Sequence, residues 1–214
     1  MIHPPNRYPN VVSTGRLVVG VTGASGAIYA QRFLRQAAGH FGEIYLIMSE
    51  QAVQVANTEL NMCLSKSGFS TRVWLGADYP QIKLLNDRDY FTPPASGSFR
   101  HDGMVVVPCS MGTAGRVANG ISDDLLTRAA DVCLKEKRPL IVVPREMPMS
   151  VIMLRNLSTL AEAGTTVIPA CPAWYYRPAS LEELADTVVP RILQALGIEQ
   201  EIVKEWGTGS DSGR

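Results

Sequence analysis

Two short runs of small residues could seat an anion, and each follows an apolar, β-branched stretch. Gly23, Ala24, Ser25 and Gly26 come directly after residues 17–22 (LVVGVT), and Ser110, Met111, Gly112 and Thr113 after residues 104–109 (MVVVPC). Glycine lets a backbone approach a ligand closely, and serine and threonine offer hydroxyls. A helix opening behind such a turn has unpaired N–H groups in its first turn, which favour a phosphate or a ring carbonyl. The first run lacks the opening Gly-x-Gly of the dinucleotide fingerprint, so a mononucleotide suits it better than NAD. Ser49, after residues 44–48 (IYLIM), adds a hydroxyl in the equivalent place. Each feature also has a plainer reading: a tight turn, a capped glycine turn and a helix N-cap.

A second group is charged. Arg145 and Glu146 follow residues 140–144 (LIVVP), where a surface loop has no need of both charges. The planar fork of arginine suits a phosphate, and an adjacent carboxylate of tuned pKa can move protons. The two could equally form an exposed ion pair. Lys135 belongs to a charge run at 135–138 (KEKR), Tyr175 to the segment 174–177 (WYYR), and Arg191 to a late helical stretch. Singly, these three read as a solvated charge run, core packing and a surface arginine.

The elements that must hold these residues alternate. Strand patterns at 17–22, 44–48, 104–107, 140–143 and 166–168 lead into helical patterns near 27–38, 50–57, 113–118 with 122–137, 150–163 and 180–196. Ser180, with Glu183 three residues on, predicts a capping box for the last helix. The stretch 61–102 is irregular, with a short strand expected at residues 72–75 and a turn-rich segment at 92–98 (TPPASGS). Short apolar strands alternating with helices predict an α/β protein: a single-domain, Rossmann-like, doubly wound parallel sheet flanked by helices. Ligands of such sheets bind beyond the carboxyl ends of the strands, where the small, hydroxylic and charged residues fall. The domain is expected over 16–206, with 1–15 and 207–214 as flexible termini.

Composition narrows the classes. The 214 residues carry 20 Lys and Arg against 20 Asp and Glu, a net charge of zero, which argues against a nucleic-acid or membrane-surface partner. No apolar run approaches the roughly 18 residues of a spanning helix, and the proline-containing N-terminal stretch does not read as a signal peptide. Cys63, Cys109, Cys133 and Cys171 form no C-x-x-C pair, so reduced thiols in the cytoplasm are expected. His3, His40 and His101 are scattered, and no cluster has the spacing of metal ligands.

Taken in order, residues 21–27 (VTGASGA), 93–98 (PPASGS), 108–113 (PCSMGT), 128–132 (RAADV), 134–140 (LKEKRPL), 143–148 (VPREMP) and 169–175 (PACPAWY), with the late Trp206, resemble the UbiX-type flavin prenyltransferases. The resemblance runs from about Arg16 to Trp206. It implies transfer of a dimethylallyl group from dimethylallyl monophosphate to N5 and C6 of reduced FMN, with release of phosphate and without a metal. The product, prenylated FMN, would serve a partner UbiD-type decarboxylase. By the same resemblance Gly23, Ala24, Ser25, Ser49, Ser110, Met111, Gly112, Thr113 and Arg145 are FMN contacts. Lys135, Arg145, Tyr175, Arg191 and Trp206 are placed at the prenyl substrate, and Ser25, Glu59, Glu146 and Tyr175 in the chemistry. Assembly as a homododecamer with sites between subunits is also implied. Two alternatives share the phosphate loops. A flavin-dependent cysteine decarboxylase needs a histidine in the helix after the second strand, where this chain has Glu59. A non-catalytic FMN carrier has no use for a second phosphate-binding set.

Overall fold

The computed structural model describes residues 15–200. Trp206, the first fourteen residues and the stretch 201–214 lie outside the described residues. Six strands, β1 (Arg16–Val21), β2 (Glu43–Met48), β3 (Ile82–Leu85), β4 (Gly103–Cys109), β5 (Leu140–Pro144) and β6 (Thr166–Val167), form one sheet in the order β3-β2-β1-β4-β5-β6. Every pairing is parallel. The order reverses between β1 and β4, the switch point at which open α/β sheets bind ligands.

Helices cover both faces. They are α1 (Ala27–Ala37), α2 (Glu50–Glu59), α3 (Thr71–Leu75), α4 (Met111–Ala118), α5 (Leu125–Lys135), α6 (Val151–Glu162), α7 (Leu181–Asp186) and α8 (Val189–Ala195). The alternation of side chains along each strand divides the core in two. Leu17, Val19 and Val21 of β1 pack with Phe33 and Leu34 of α1 and with Ile192 and Leu193 of α8. Val18 packs on the other side with Met104, Val106 and Leu126. Burial on both faces explains why all seven β4 residues are buried and why these strands read as unbroken apolar runs.

Three expectations need correction. Residues 72–75 form helix α3, not a strand. Trp74 and Leu75 are both buried while Val73 is half exposed, a pattern that one strand face cannot supply. Gly76, at φ 79°, closes that helix, and the Trp74 and Leu75 carbonyls accept from Gln31 and Arg35 of α1. The third strand lies instead at β3, a four-residue edge strand whose Lys83 pairs with Glu43 rather than following apolar alternation. The single helix expected over 180–196 is two helices, because Pro190 has no N–H to continue the ladder. Ser180 caps α7 by accepting from the Glu183 N–H, whereas the Glu183 carboxylate accepts from Ala179, one residue outside a true capping box.

Candidate active site at the carboxyl edge of the sheet

A threonine joins the two small-residue loops. The Thr22 hydroxyl donates to the Pro108 carbonyl at 2.8 Å and accepts from the Ser110 N–H at 2.7 Å, across the switch point. Ser49 is tied to the same edge by its N–H on the Val21 carbonyl, 3.0 Å away, and Arg145 by its N–H on the Cys109 carbonyl. Residues far apart in sequence thus converge: Gly23 to Ser25, Ser49, Ser110 to Thr113, Arg145 and Glu146.

The local geometry is close and open toward solvent. A Cβ on Gly23 would stand 2.5 Å from the Cβ of Gln51, so only glycine lets the first loop lie against α2. The Ser25 side chain is exposed and makes no hydrogen bond to another described residue. Ser49 caps α2, accepting from the Ala52 N–H at 3.1 Å, and Ser110 caps α4, accepting from the Thr113 N–H at 3.3 Å. Among the described residues the Met111 and Gly112 N–H groups have no partner, as expected of a helix first turn. A Cβ on Gly112 would meet nothing within 4 Å. These groups fit a phosphorylated ring: two backbone donors and serine hydroxyls border open space.

The first loop differs from expectation. The opening N–H groups of α1 are not free, because the Glu59 carboxylate accepts from Gly26 at 2.9 and 3.1 Å and from Ala27 at 2.8 Å. A carboxylate at a helix N-terminus is well placed against the helix dipole. Glu59 therefore occupies the anion position of α1, which leaves α4 as the open helix start beside the switch point. Glu59 stays near the first loop, in contact with its backbone.

Of the charged set, Arg145 and Glu146 stand together. The Arg145 side chain makes no hydrogen bond or ion pair with another described residue, and one Glu146 oxygen accepts from the Met147 N–H at 3.1 Å. Tyr29, in the first turn of α1, was not among the expected residues but stands near Arg145 and Cys171. Burial pushes the Tyr29 phenol above its usual value, Cys171 adds to this, and the Arg145 charge acts the other way. Its place one turn after the first loop is the only sequence signal that could have found it.

Tyr175, Tyr176 and Arg191 form a group after β6, linked through Tyr176. The Tyr175 and Tyr176 rings stand 4.3 Å apart, and Arg191 lies close enough to lower the Tyr176 pKa, which its hydrogen bond with Tyr175 raises overall. The loop carrying the tyrosines is held beside β5 by the Ala170 N–H on the Pro144 carbonyl and clamped by the Ala173 N–H on the Thr187 hydroxyl at 2.9 Å. Lys135 is not brought to this place. It ends α5 just before β5 begins, so it lies at the opposite, amino edge of the sheet, paired with Glu136 at 2.5 Å. His40 and His101 also sit at the amino edge, before β2 and β4; His101 is buried against the Gly103 carbonyl. Among the described residues no group of three or more His, Cys, Asp or Glu side chains is arranged to hold a metal ion, and no helix is long and apolar enough to cross a membrane.

A doubly wound sheet with glycine and serine loops at its switch point defines a mononucleotide-binding α/β protein. The chain matches the Flavoprotein family over residues 6–196. It is 42% identical over 196 residues to the flavin prenyltransferase UbiX of Pseudomonas aeruginosa, covering 90% of this chain and 94% of that protein. Identity to the flavin prenyltransferase UbiX of Thermoplasma acidophilum is 44% over 191 residues, 89% of this chain and 99% of the other. The chain belongs to the flavoprotein family and, within it, to the UbiX flavin prenyltransferases. A crystal structure of AnUbiX in complex with FMN and dimethylallyl pyrophosphate superposes with a TM-score of 0.76 at 39% identity, covering 90% of this chain and 97% of that one. A dodecameric FMN-dependent UbiX-like decarboxylase from Escherichia coli O157:H7 gives 0.75 at 38%, covering 86% and 96%. The FMN-dependent cysteine decarboxylase TvaF shares the fold alone, at 18% identity and a TM-score of 0.59.

Proposed function

We propose that this protein joins a dimethylallyl group to N5 and C6 of reduced FMN, making prenylated FMN for a separate UbiD-type decarboxylase. The observation that carries the reading is the meeting of two binding regions at one sheet edge. The Ser110 to Thr113 loop, Ser25 and Ser49 offer donors for a flavin nucleotide, and Arg145 lies between them and the Tyr175, Tyr176 and Arg191 group. A carrier of FMN has no use for that second group. The relatives named for flavin prenylation and the AnUbiX complex support the same assignment.

Ser110, Met111 and Gly112 hold the FMN phosphate through hydroxyl and N–H donors, and Thr113 completes the same loop. Gly23, Ala24, Ser25 and Ser49 lie along the ring system, and Glu59 holds the first loop in shape. As the carbon–oxygen bond to the prenyl phosphate breaks and the N5–carbon bond forms, Arg145 and Arg191 stabilise the departing charge and Tyr175 donates a proton to the leaving phosphate. The proton displaced from N5 leaves through the Ser25 hydroxyl to solvent, from which Tyr175 is reprotonated. Ring closure adds a proton to the remaining alkene and removes one from C6, so protons balance; Glu146 is the group placed to carry them. Lys135 reaches a site only from a neighbouring copy, in a homododecamer whose sites lie between subunits. Trp206, outside the described residues, is assigned to the wall of the prenyl pocket by resemblance alone.

Incubating the protein anaerobically with reduced FMN and dimethylallyl monophosphate should release a flavin heavier by one C5 unit, read by mass spectrometry. Unmodified FMN, where another UbiX protein succeeds under the same conditions, would overturn the assignment. A parallel reaction with the diphosphate should be slower, because a monophosphate is the preferred donor in this reading.

A further inference from the structure

The hydroxyls of the second loop are held in one direction by a residue outside it. Thr113 is buried, and its hydroxyl has two polar neighbours: Arg116 Nη2, which donates to it at 3.3 Å, and Ser110 Oγ at 3.1 Å. Arginine cannot accept, so one Thr113 lone pair is taken and the Thr113 proton has Ser110 Oγ as its acceptor. Ser110 Oγ then receives both the Thr113 hydroxyl and the Thr113 N–H, and its own proton is left over. The reverse arrangement would strand the hydroxyl proton of a residue that is 3% exposed, which is costly, whereas half-buried Ser110 can turn its proton outward.

Arg116 is itself held. Its Nη1 donates to Asp123 at 2.5 Å and to Asp124 at 2.7 Å, and Asp124 is the N-cap of α5, accepting from the Thr127 N–H at 2.7 Å. Burial works against the Arg116 charge, but the bonds to Asp124 and Asp123 outweigh it and keep the guanidinium firmly protonated. Two carboxylates so close leave this cation no demand for a ligand of its own. It acts through Thr113.

We infer that Arg116 is a positioning residue: by filling an acceptor site on Thr113 it keeps the Ser110 hydroxyl proton turned outward, as a donor to the phosphate of FMN. With the Ser110 N–H engaged by Thr22, the loop then presents three donors to that phosphate: the Met111 and Gly112 N–H groups and the Ser110 hydroxyl. The inference rests on the FMN reading above, and the test separates the two.

Dissociation constants of FMN and of riboflavin, which has no phosphate, are measured by flavin fluorescence for the full chain and for Ser110→Ala, Arg116→Met, Arg116→Lys and the Ser110→Ala/Arg116→Met double variant. Each of Ser110→Ala and Arg116→Met should weaken FMN by roughly ten- to a hundredfold, the range for one hydrogen bond to a charged group, and leave riboflavin within twofold. The double variant should be no weaker than Ser110→Ala alone, because Arg116 acts through that hydroxyl. Arg116→Lys, still a donor without acceptor capacity, should recover most of the loss. Additive losses in the double variant, equal losses for riboflavin, or wild-type FMN affinity in Arg116→Met would each overturn the role of Arg116. Unchanged FMN affinity in Ser110→Ala would instead remove this loop from the phosphate.

Discussion

The two edges of the sheet carry similar residues and do opposite things with them. At the amino edge, Glu43 accepts from Arg16 and Lys83, Asp102 accepts from the Arg16 N–H, and Arg138 donates to the Phe99 carbonyl. Charge there is consumed within the fold. At the carboxyl edge, the Arg145 side chain, the Ser25 hydroxyl and the Met111 and Gly112 N–H groups make no hydrogen bond to another described residue, although the backbone that carries them is bound tightly across strands. Lysines and arginines do not mark a site by number; donors held rigidly and left unpaired do. Even the carboxyl edge obeys this rule, since Glu59 closes α1 while α4 stays open.

The largest effect that tests this contrast should come from Glu146→Gln. Turnover to prenylated FMN should fall by about 10²- to 10⁴-fold, the range for losing a proton-transfer group, with FMN affinity within twofold. A wild-type rate would take Glu146 out of the chemistry. Next, Lys135 lies at the wrong edge within one chain. A mixed assembly of Lys135→Ala and Glu146→Gln chains, each inactive alone, should regain activity above the sum of the two, because intact halves meet at some subunit junctions. No recovery in verified mixed oligomers would return Lys135 to a purely structural role.

A third variant, Gly23→Ala, is aimed at the close approach of the first loop to α2. With 2.5 Å to the Gln51 Cβ, the backbone must shift, and thermal unfolding should show a loss of about 1–3 kcal/mol. Unchanged stability together with unchanged FMN affinity would show that the approach is not required. The smallest effect belongs to the amino edge. Hydrogen bonds from Lys83 and Arg16 lower the Glu43 carboxyl from 4.5 to about 2. A depressed carboxyl stabilises the fold above its unfolded value and loses that contribution as pH falls from about 4.5 toward 2. Glu43→Gln should therefore lower the melting temperature slightly near neutrality and flatten the acid limb, so that the two profiles converge as pH falls toward about 2. The shift is small because the pair is partly exposed and screened, and an unaltered acid limb would sink this assignment.

Much of the architecture is legible in the chain itself. Residues 17–22, 44–48, 104–107 and 140–143 are apolar because both faces of each strand are covered, and the two small-residue loops of the site each follow one of them. Residues 72–75 and the edge strand β3 are not legible in this way. A four-residue segment carries too little periodicity to separate helix from strand, and β3 keeps Lys83 for Glu43. The site divides likewise. Ser25, Ser49, Ser110 and Arg145 could be named from residue type and position after a strand, whereas Tyr29 and Arg116 look like ordinary helix residues until their neighbours are known.

By itself, then, the sequence determined the kinds of groups available and the strand ends on which they sit, because hydrophobic periodicity and turn chemistry are local properties. Which groups remain free was decided only by the tertiary structure. Glu59 reaches α1 across 32 residues of chain, Thr22 meets Ser110 across 88, and Lys135 is carried to the far edge by the direction of α5. A hydrogen bond satisfied by a distant partner leaves no trace in local sequence, yet it alone settles whether a donor serves the fold or a ligand.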